Sequence, residues 1–261
     1  MPELPDLHVF AENLKKRILN KTIVSVTVYN TRKIATPEYY RQKMTGTSIH
    51  DIVRNGKELF FMLANGNCFS VHLMLSGQFL IVNQDEAENI KGKILGLGFD
   101  NSETLVVADL QNLCRVSWNP KVSGTPDAMS GKFTYKYFSN GLKKNEWGNI
   151  KALLIDQHFV RGIGNAYADE ILWKADISPE SVSGKIPEEK VKELYEAIPL
   201  VLNDAIQNIM KISPDIIGGE ERSFLRVHNR DKKITDEGDK IIVKTIASKT
   251  TYFTEKQKKY I

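Results

Sequence analysis

The stretch IKALLIDQHFVRGIGNAYADEILWKADISPE (150–180) carries apolar residues at helical spacing on both sides of Arg161-Gly162-Ile163-Gly164-Asn165. The spacing predicts a helix over 149–159, a glycine-bearing turn, and a second helix over 165–175. Glycines in such a turn permit close approach of helices or of a ligand. Backbone N–H groups at the start of the second helix, from Asn165 onward, would hold a phosphate. An ordinary helical hairpin closed by a left-handed cap uses the same residues, so both readings stand on this stretch alone.

Helical character extends on both sides of it. One further segment covers 135–142. Another covers 187–212, with Val191, Leu194, Ile198, Leu202, Ile206 and Ile209 as its apolar face and Pro199 expected to kink or split it. Upstream lies VSGTPDAMSG (122–131), a polar linker read as a domain boundary. Before that boundary, segments 22–30, 48–53, 58–63, 68–73, 78–83, 93–99, 104–109 and 113–118 read as short strands. Turn signals such as Ala64-Asn65-Gly66-Asn67 separate them, so a sandwich or barrel is expected. A helix with Leu7, Phe10, Leu14 and Ile18 on one face precedes the strands, with Asp6 as its expected N-cap and its end near Asn20. Pro2 and Pro5 mark the opening MPELP as rigid and non-helical. Segments 240–247 and 250–255 suggest a terminal hairpin. The expected class is therefore α+β: a β-sandwich domain with a flanking helix over 1–124, a helical domain over 132–221, and a β-hairpin finger over 222–261.

The chain has 261 residues and a net charge of +4. Residues 222–261 hold 11 Lys and Arg against 5 Asp and Glu, so the basic excess is concentrated in the tail. That is the electrostatic footprint of a nucleic-acid contact, although a solvated tail would look the same. Cys68 and Cys114 are the only cysteines, which excludes a disulfide framework and a four-cysteine metal site; each reads as a small buried hydrophobe. No apolar run approaches the ~18 residues of a membrane span, and the first ten residues lack the pattern of a signal peptide, so a cytoplasmic location is expected. In RNGKELFFML (54–63), Asn55-Gly56 forms a turn and Lys57 opens a strand, as an ordinary turn lysine or as a positioned cation.

Together, PELPDLHVFAENL (2–14), RNGK (54–57), HLMLSG (72–77) and IDQHFVRGIGNAYADEILWKADISP (155–179) resemble the formamidopyrimidine-DNA glycosylase / endonuclease VIII family of base-excision repair. They fall in the family's order and near its spacings, across essentially the whole chain. The resemblance implies a bifunctional DNA glycosylase and abasic-site lyase that acts as a monomer on damaged double-stranded DNA, away from membranes and nucleoid-associated if bacterial. It also implies a helix–two-turn–helix motif at Asn165. Removal of Met1 would free the Pro2 nitrogen to attack C1′ of the damaged nucleotide as an iminium-forming nucleophile. An unperturbed α-amino group has a pKa of about 7.7–8.0, so a useful fraction is neutral near pH 7. Glu3 falls at the place of the family's acid/base, and Asp6 stands where the family usually has Glu. Lys57 matches a lysine of the lyase chemistry and phosphate contact. The resemblance further assigns phosphate binding to Asn165, a place near the base pocket to Lys151, and a backbone contact to His72.

Departures from the family pattern carry their own expectations. Leu75 stands for the usual methionine of the wedge that fills the hole left by a flipped base. DLQNLC (109–114) puts Asn112 in place of the arginine that reads the opposite base, and Leu113 in place of the aromatic wedge. Members with a zinc finger carry two C-x-x-C pairs, where this chain has Thr235 with Gly238 and Thr254 with Gln257. A zinc-less finger held by Ile241, Val243, Tyr252 and Phe253 is expected, with no cofactor. Lys249 takes the place of the finger arginine that grips phosphates and assists δ-elimination. The stretch 212–221 is short, with ordered structure expected to resume at Phe224, so little cap is available over a flipped purine. The competing reading is a non-catalytic helix–two-turn–helix nucleic-acid-binding protein, which leaves Pro2, Glu3 and Lys57 without a role.

Overall fold

The computed structural model describes residues 1–34 and 36–261. The chain folds into two compact units, one of residues 1–122 and 209–220, the other of residues 123–208 and 221–261. In the first, α1 (Leu4–Ile18) leads into β1 (Ile23–Val28), α2 (Pro37–Met44), β2 (Ile49–Asn55), β3 (Glu58–Leu63), β4 (Cys68–His72), β5 (Gln78–Asn83), α3 (Gln84–Ala87), β6 (Lys93–Phe99), β7 (Glu103–Ala108) and β8 (Arg115–Trp118). The strands pair antiparallel as two four-stranded sheets, in the orders β1-β6-β7-β5 and β2-β3-β4-β8. Each segment expected as a strand contributes one. Phe61 stacks on Phe69 with ring centroids 4.6 Å apart and meets Phe79 of the other sheet edge-on at 5.7 Å, so one apolar core fills the space between the sheets. Cys114 lies in that core, whereas Cys68 is half-buried. Burial, and next the charge of Asp109, push the Cys114 thiol up to about 12, which keeps it a protonated hydrophobe.

The first helix departs from expectation at its start. It begins at Leu4, with Pro5 inside its first turn, because a proline there lacks only an N–H that has no intrahelical acceptor anyway. Glu3 is the N-cap and Asp6 is the third helical residue, the reverse of the expected N-cap at Asp6. Leu7, Phe10, Leu14 and Ile18 are all buried on the expected face. The helix α2 was not legible, since PEYYRQKM buries only Tyr40 and Met44 and shows little helical stripe.

In the second unit, α4 (Tyr135–Lys144), α5 (Ile150–Ile155), α6 (Asn165–Lys174) and most of α7 (Glu188–Ile212) precede a hairpin of β9 (Ile241–Ile246) and β10 (Lys249–Thr254). The helix expected over 149–159 stops at Ile155; the Asp156 carboxylate then accepts from the His158 N–H and turns the chain. α7 runs through Pro199 without splitting. A proline inside a helix costs about 3 kcal/mol. Leu194, Ile198, Leu202 and Ile209 are fully buried, and each such side chain returns roughly 1.5–3 kcal/mol, so the apolar face wins. Beyond Ile212 no helix or strand forms before Ile241 among the described residues. The Asn13 amide donates to the Ile216 carbonyl at 2.9 Å, and Ile216 and Ile217 pack on the sandwich core. Among the described residues no helix is long and apolar enough to cross a membrane.

Close packing in the second unit gives a sign test. Gly141 on α4 faces the Phe159 ring, and a Cβ there would run into it. In an open helix, Gly→Ala gains about 1 kcal/mol. Here overpacking dominates, and Gly141→Ala is expected to lower unfolding stability by about 1–2 kcal/mol. Urea denaturation checks this, and a more stable variant would contradict the packing.

Candidate nucleic-acid interface

The N-terminus is held by its own helix. The Glu3 N–H donates to the Asp6 carboxylate at 2.8 Å, and the two residues form a capping box. Pro2 is buried, Glu3 is 4% exposed and Asp6 is fully buried, so this corner is fixed by packing as well as by hydrogen bonds. The Met1 ammonium pairs with the Glu220 carboxylate. In the same unit, Lys57 follows Gly56 (φ 61) in the two-residue turn between β2 and β3, half-buried, and the Arg54 guanidinium donates to the Gly56 carbonyl at 3.2 Å. His72 ends β4. Its Nδ1 accepts the Met74 N–H at 3.0 Å, which fixes the tautomer with the proton on Nε2 and makes that nitrogen a donor.

Two loops of this unit hang on one carboxylate. Asp109, 3% exposed, accepts the N–H groups of Gln111 (3.0 Å), Leu113 (2.6 Å) and Cys114 (2.7 Å) together with the Ser76 hydroxyl. Burial pushes its pKa up, but the Ser76 hydroxyl and the three N–H groups outweigh that and hold it below the usual carboxylate range. Leu75 is 52% exposed on the first loop; Leu110 at 74% and Leu113 at 37% project from the second. Leu110 was not singled out in the sequence. Asn112 sits at φ 57, and its side-chain carbonyl accepts from the Asn30 amide at 2.8 Å.

In the second unit, the turn before α6 is clamped by Gln157. Its amide donates to the carbonyls of Ile155 (2.9 Å) and Ile163 (2.8 Å) and its carbonyl accepts the Gly162 N–H at 3.0 Å, with Gly162 at φ 105. Nothing in the spacing of the motif singled out Gln157. Gly164 is the N-cap of α6, and Asn165 opens the helix, its amide donating to the Thr250 carbonyl at 2.8 Å. Lys249 is exposed at the start of β10, next to a turn in which Ala247 (φ 51) and Ser248 (φ 59) both take the left-handed conformation. Lys151 departs from its expected place near a base: it is fully buried, with its ammonium 2.7 Å from Asp169 Oδ1. Val243 also departs, being 53% exposed, whereas Ile241 and Phe253 are buried and Tyr252 is half-buried with its ring edge-on to His228.

The finger positions do not fit a zinc ion. Thr235 accepts the Gly238 N–H on its carbonyl (3.0 Å) and the Asp239 N–H on its hydroxyl (3.1 Å). Gln257 accepts the Thr254 N–H at 2.8 Å and donates to the Ile177 carbonyl at 2.9 Å. All four positions lack a thiolate; the Thr235 and Gln257 side chains are used within the fold, and the Thr254 hydroxyl is buried without a hydrogen-bond partner. Among the described residues no group of three or more His, Cys, Asp or Glu could hold a metal ion.

Residues 1–116 match the formamidopyrimidine-DNA glycosylase N-terminal domain and residues 125–214 the H2TH domain of the same enzymes. The chain belongs to the formamidopyrimidine-DNA glycosylase family. It is 34% identical over 215 residues to the formamidopyrimidine-DNA glycosylase of Protochlamydia amoebophila, covering 79% of this chain and 77% of the relative. The enzyme of the same name from Pelotomaculum thermopropionicum is 29% identical over 276 residues, with 97% of each chain covered. Among solved structures, Lactococcus lactis Fpg in complex with DNA containing an abasic site superposes with a TM-score of 0.87 at 26% identity, over 99% of this chain and 100% of that one. Its complex with FAPY-dG DNA gives 0.85 at 26% identity, over 98% and 100%.

The Asp109 hub is testable through pH. A carboxyl held low in the folded state contributes stability above its unfolded pKa and loses it as pH falls through its folded pKa. Asp109→Ala, which strands three N–H groups, is expected to cost about 2–3 kcal/mol at pH 7. The gap from wild type should narrow in acid. A gap that stays constant in urea titrations from pH 7 to pH 3 would rule out the ionised carboxylate as the organising group.

Proposed function

We propose that this protein is a bifunctional DNA glycosylase and abasic-site lyase of base-excision repair, acting on oxidised bases in double-stranded DNA inside the cell. The carrying observation is the buried Pro2–Glu3 corner at the capped start of α1, in a chain that matches both domains of the family. A purely binding protein would need the second unit alone.

In this reading Met1 is removed and the Pro2 nitrogen attacks C1′ of the extruded nucleotide. The glycosidic bond breaks and its electron pair leaves with the base; the C1′–O4′ bond then opens, its electron pair going to O4′, which takes a proton from Glu3, while the Pro2 nitrogen gives up its own proton and its lone pair closes the iminium. The resulting iminium acidifies the C2′ hydrogen, whose loss expels the 3′ phosphate by β-elimination. Lys57 and His72 face phosphates of the damaged strand, and Asn165, at the first turn of α6, holds another. Lys249 neutralises phosphate charge and assists the second elimination. Leu75 and Leu113 fill the vacated base position, with Leu110 beside them. Lys151 has no part in base contact.

The nucleophile is tested by borohydride reduction on abasic-site DNA. A covalent adduct should form with a free Pro2, weaken in Pro2→Gly and vanish when the N-terminus is extended by a tag. Trapping that survives the extension would move the nucleophile to a lysine. Glu3→Gln should lose base excision far more than strand cleavage at a pre-formed abasic site, and equal losses would remove Glu3 as the acid.

Lesion choice follows from two features. The segment after α7 is drawn onto the sandwich through Ile216 and Ile217 rather than forming a cap, and the Asn112 carbonyl accepts from Asn30. Excision of 8-oxoguanine opposite cytosine should be slow, and formamidopyrimidines, oxidised pyrimidines and further-oxidised guanines should be better substrates with weak opposite-base dependence, because poorly stacked bases cost less to extrude. Single-turnover rates on matched duplexes decide this. Removal of 8-oxoguanine opposite cytosine as fast as formamidopyrimidine or thymine glycol would show that the missing cap does not set selectivity.

A further inference from the structure

Three consecutive residues of β10, beginning directly after Lys249, are each held by a different side chain of the helical part of the same unit. Asn165 Nδ2 donates to the Thr250 carbonyl at 2.8 Å. Lys151 Nζ donates to the Thr251 hydroxyl at 2.6 Å. Asp169 Oδ2 accepts the Tyr252 N–H at 3.0 Å and faces His228 Nδ1 at 2.7 Å. Lys151 and Asp169, both fully shielded from solvent, form an ion pair at 2.7 Å; Oδ1 has no aligned hydrogen bond, so the contact is one of charge rather than of lone-pair geometry.

Stability alone does not account for this pair. An apolar pair of similar volume is commonly as stable as a buried ion pair, or more so. What an apolar pair cannot do is donate to the Thr251 hydroxyl and accept the Tyr252 N–H in a single register. The hairpin needs such a lock. A two-stranded hairpin is marginal by itself, Val243 on its outer strand is exposed, and its Ala247-Ser248 turn uses a conformation unfavourable for residues with a Cβ. No thiolate is available to fasten it. A one-residue slip of β10 would exchange its two faces and carry Lys249 to the other side of the hairpin.

We propose that Lys151 and Asp169 are positioning residues that lock the register of the finger hairpin and so place the Lys249 ammonium for the DNA phosphate. The proposal rests on the reading of Lys249 as the residue that assists δ-elimination. Thr251→Val removes the hydroxyl that Lys151 holds, together with that hydroxyl's own donation to the Lys249 carbonyl at 2.9 Å, and Asp169→Asn removes the charge while keeping an acceptor. Each is made alone and in combination with Lys249→Ala, checked by thermal melting, and assayed for the ratio of δ- to β-elimination product on abasic-site DNA. The ratio should fall about tenfold in each single variant, the scale of one lost hydrogen bond to a charged group. The doubles should fall no further than Lys249→Ala alone. An unchanged ratio in a folded Thr251→Val protein, or an additional fall in its double, would overturn the register lock. Should Asp169→Asn fail to fold, Thr251→Val decides. If Lys249→Ala leaves the ratio unchanged, the reading of Lys249 has failed, and amide exchange at Tyr252 judges the lock separately: faster exchange in Thr251→Val than in wild type supports it, and equal exchange refutes it.

Discussion

A buried carboxylate that accepts backbone N–H groups recurs at three places where this chain is ordered. Asp6 takes the Glu3 N–H at the N-terminus, and Asp109 takes three N–H groups from the loop before β8. Glu170 takes those of Arg226, Val227 and His228 at 2.9, 2.8 and 2.7 Å. Burial raises the Glu170 pKa even against those three donors, a measure of what it costs to place a carboxyl there. Each N–H left unmet in the interior would cost about 1–3 kcal/mol, so one acidic side chain fixes a run of irregular backbone that no apolar residue could hold. The N-terminus, the apolar loop and the approach to the finger are all built this way, and the first two carry residues proposed for DNA chemistry.

The second unit is also closed at its far end. The Val182 N–H donates to the Tyr260 carbonyl at 2.8 Å, and the Ser178 N–H to the Lys258 carbonyl at 2.9 Å. The segment 226–228 enters on Glu170, β10 is held along Thr250, Thr251 and Tyr252, and the last residues are tied to the stretch after α6. A finger without thiolates is thereby fastened at entry, middle and exit by hydrogen bonds spread over many residues, in place of the single point that a tetrahedral metal would provide.

The strands and the longer helices were legible because burial imposes periods of two and 3.6 on Val, Leu, Ile and Phe, and those periods survive in any order of the chain. Hence the segments that carry Phe61, Phe69 and Phe79 could be read as strands from the sequence. The carboxylate anchors were not legible. Asp109 and Glu170 sit where acidic residues usually mean a turn or a solvated helix face, and the Glu170 partners lie 56 to 58 positions away. Lys151 failed for the same reason, since its partners Asp169 and Thr251 become neighbours only once α5, α6 and the hairpin have formed. At Pro199 the helix continues unsplit, because the cost of the proline is smaller than the burial of the apolar face it interrupts.

Energetics connect the apolar loop to the proposed chemistry. Extruding a base costs a few kcal/mol. Leu75, Leu110 and Leu113 stand exposed in the free protein, and burying a leucine fully returns about 1.5–3 kcal/mol. Three partly exposed leucines can therefore offset extrusion by burial, without a hydrogen bond to the opposite base. Such a term depends on area and not on donor and acceptor pattern, so it distinguishes bases by how weakly they stack. A bidentate arginine would add about 1–3 kcal/mol of discrimination for one base over another. Asn112 lacks that fork, and its carbonyl is already engaged with Asn30. Ordering the loop in advance through Asp109 matters on this account, because a mobile loop would lose the burial energy again as conformational entropy on insertion.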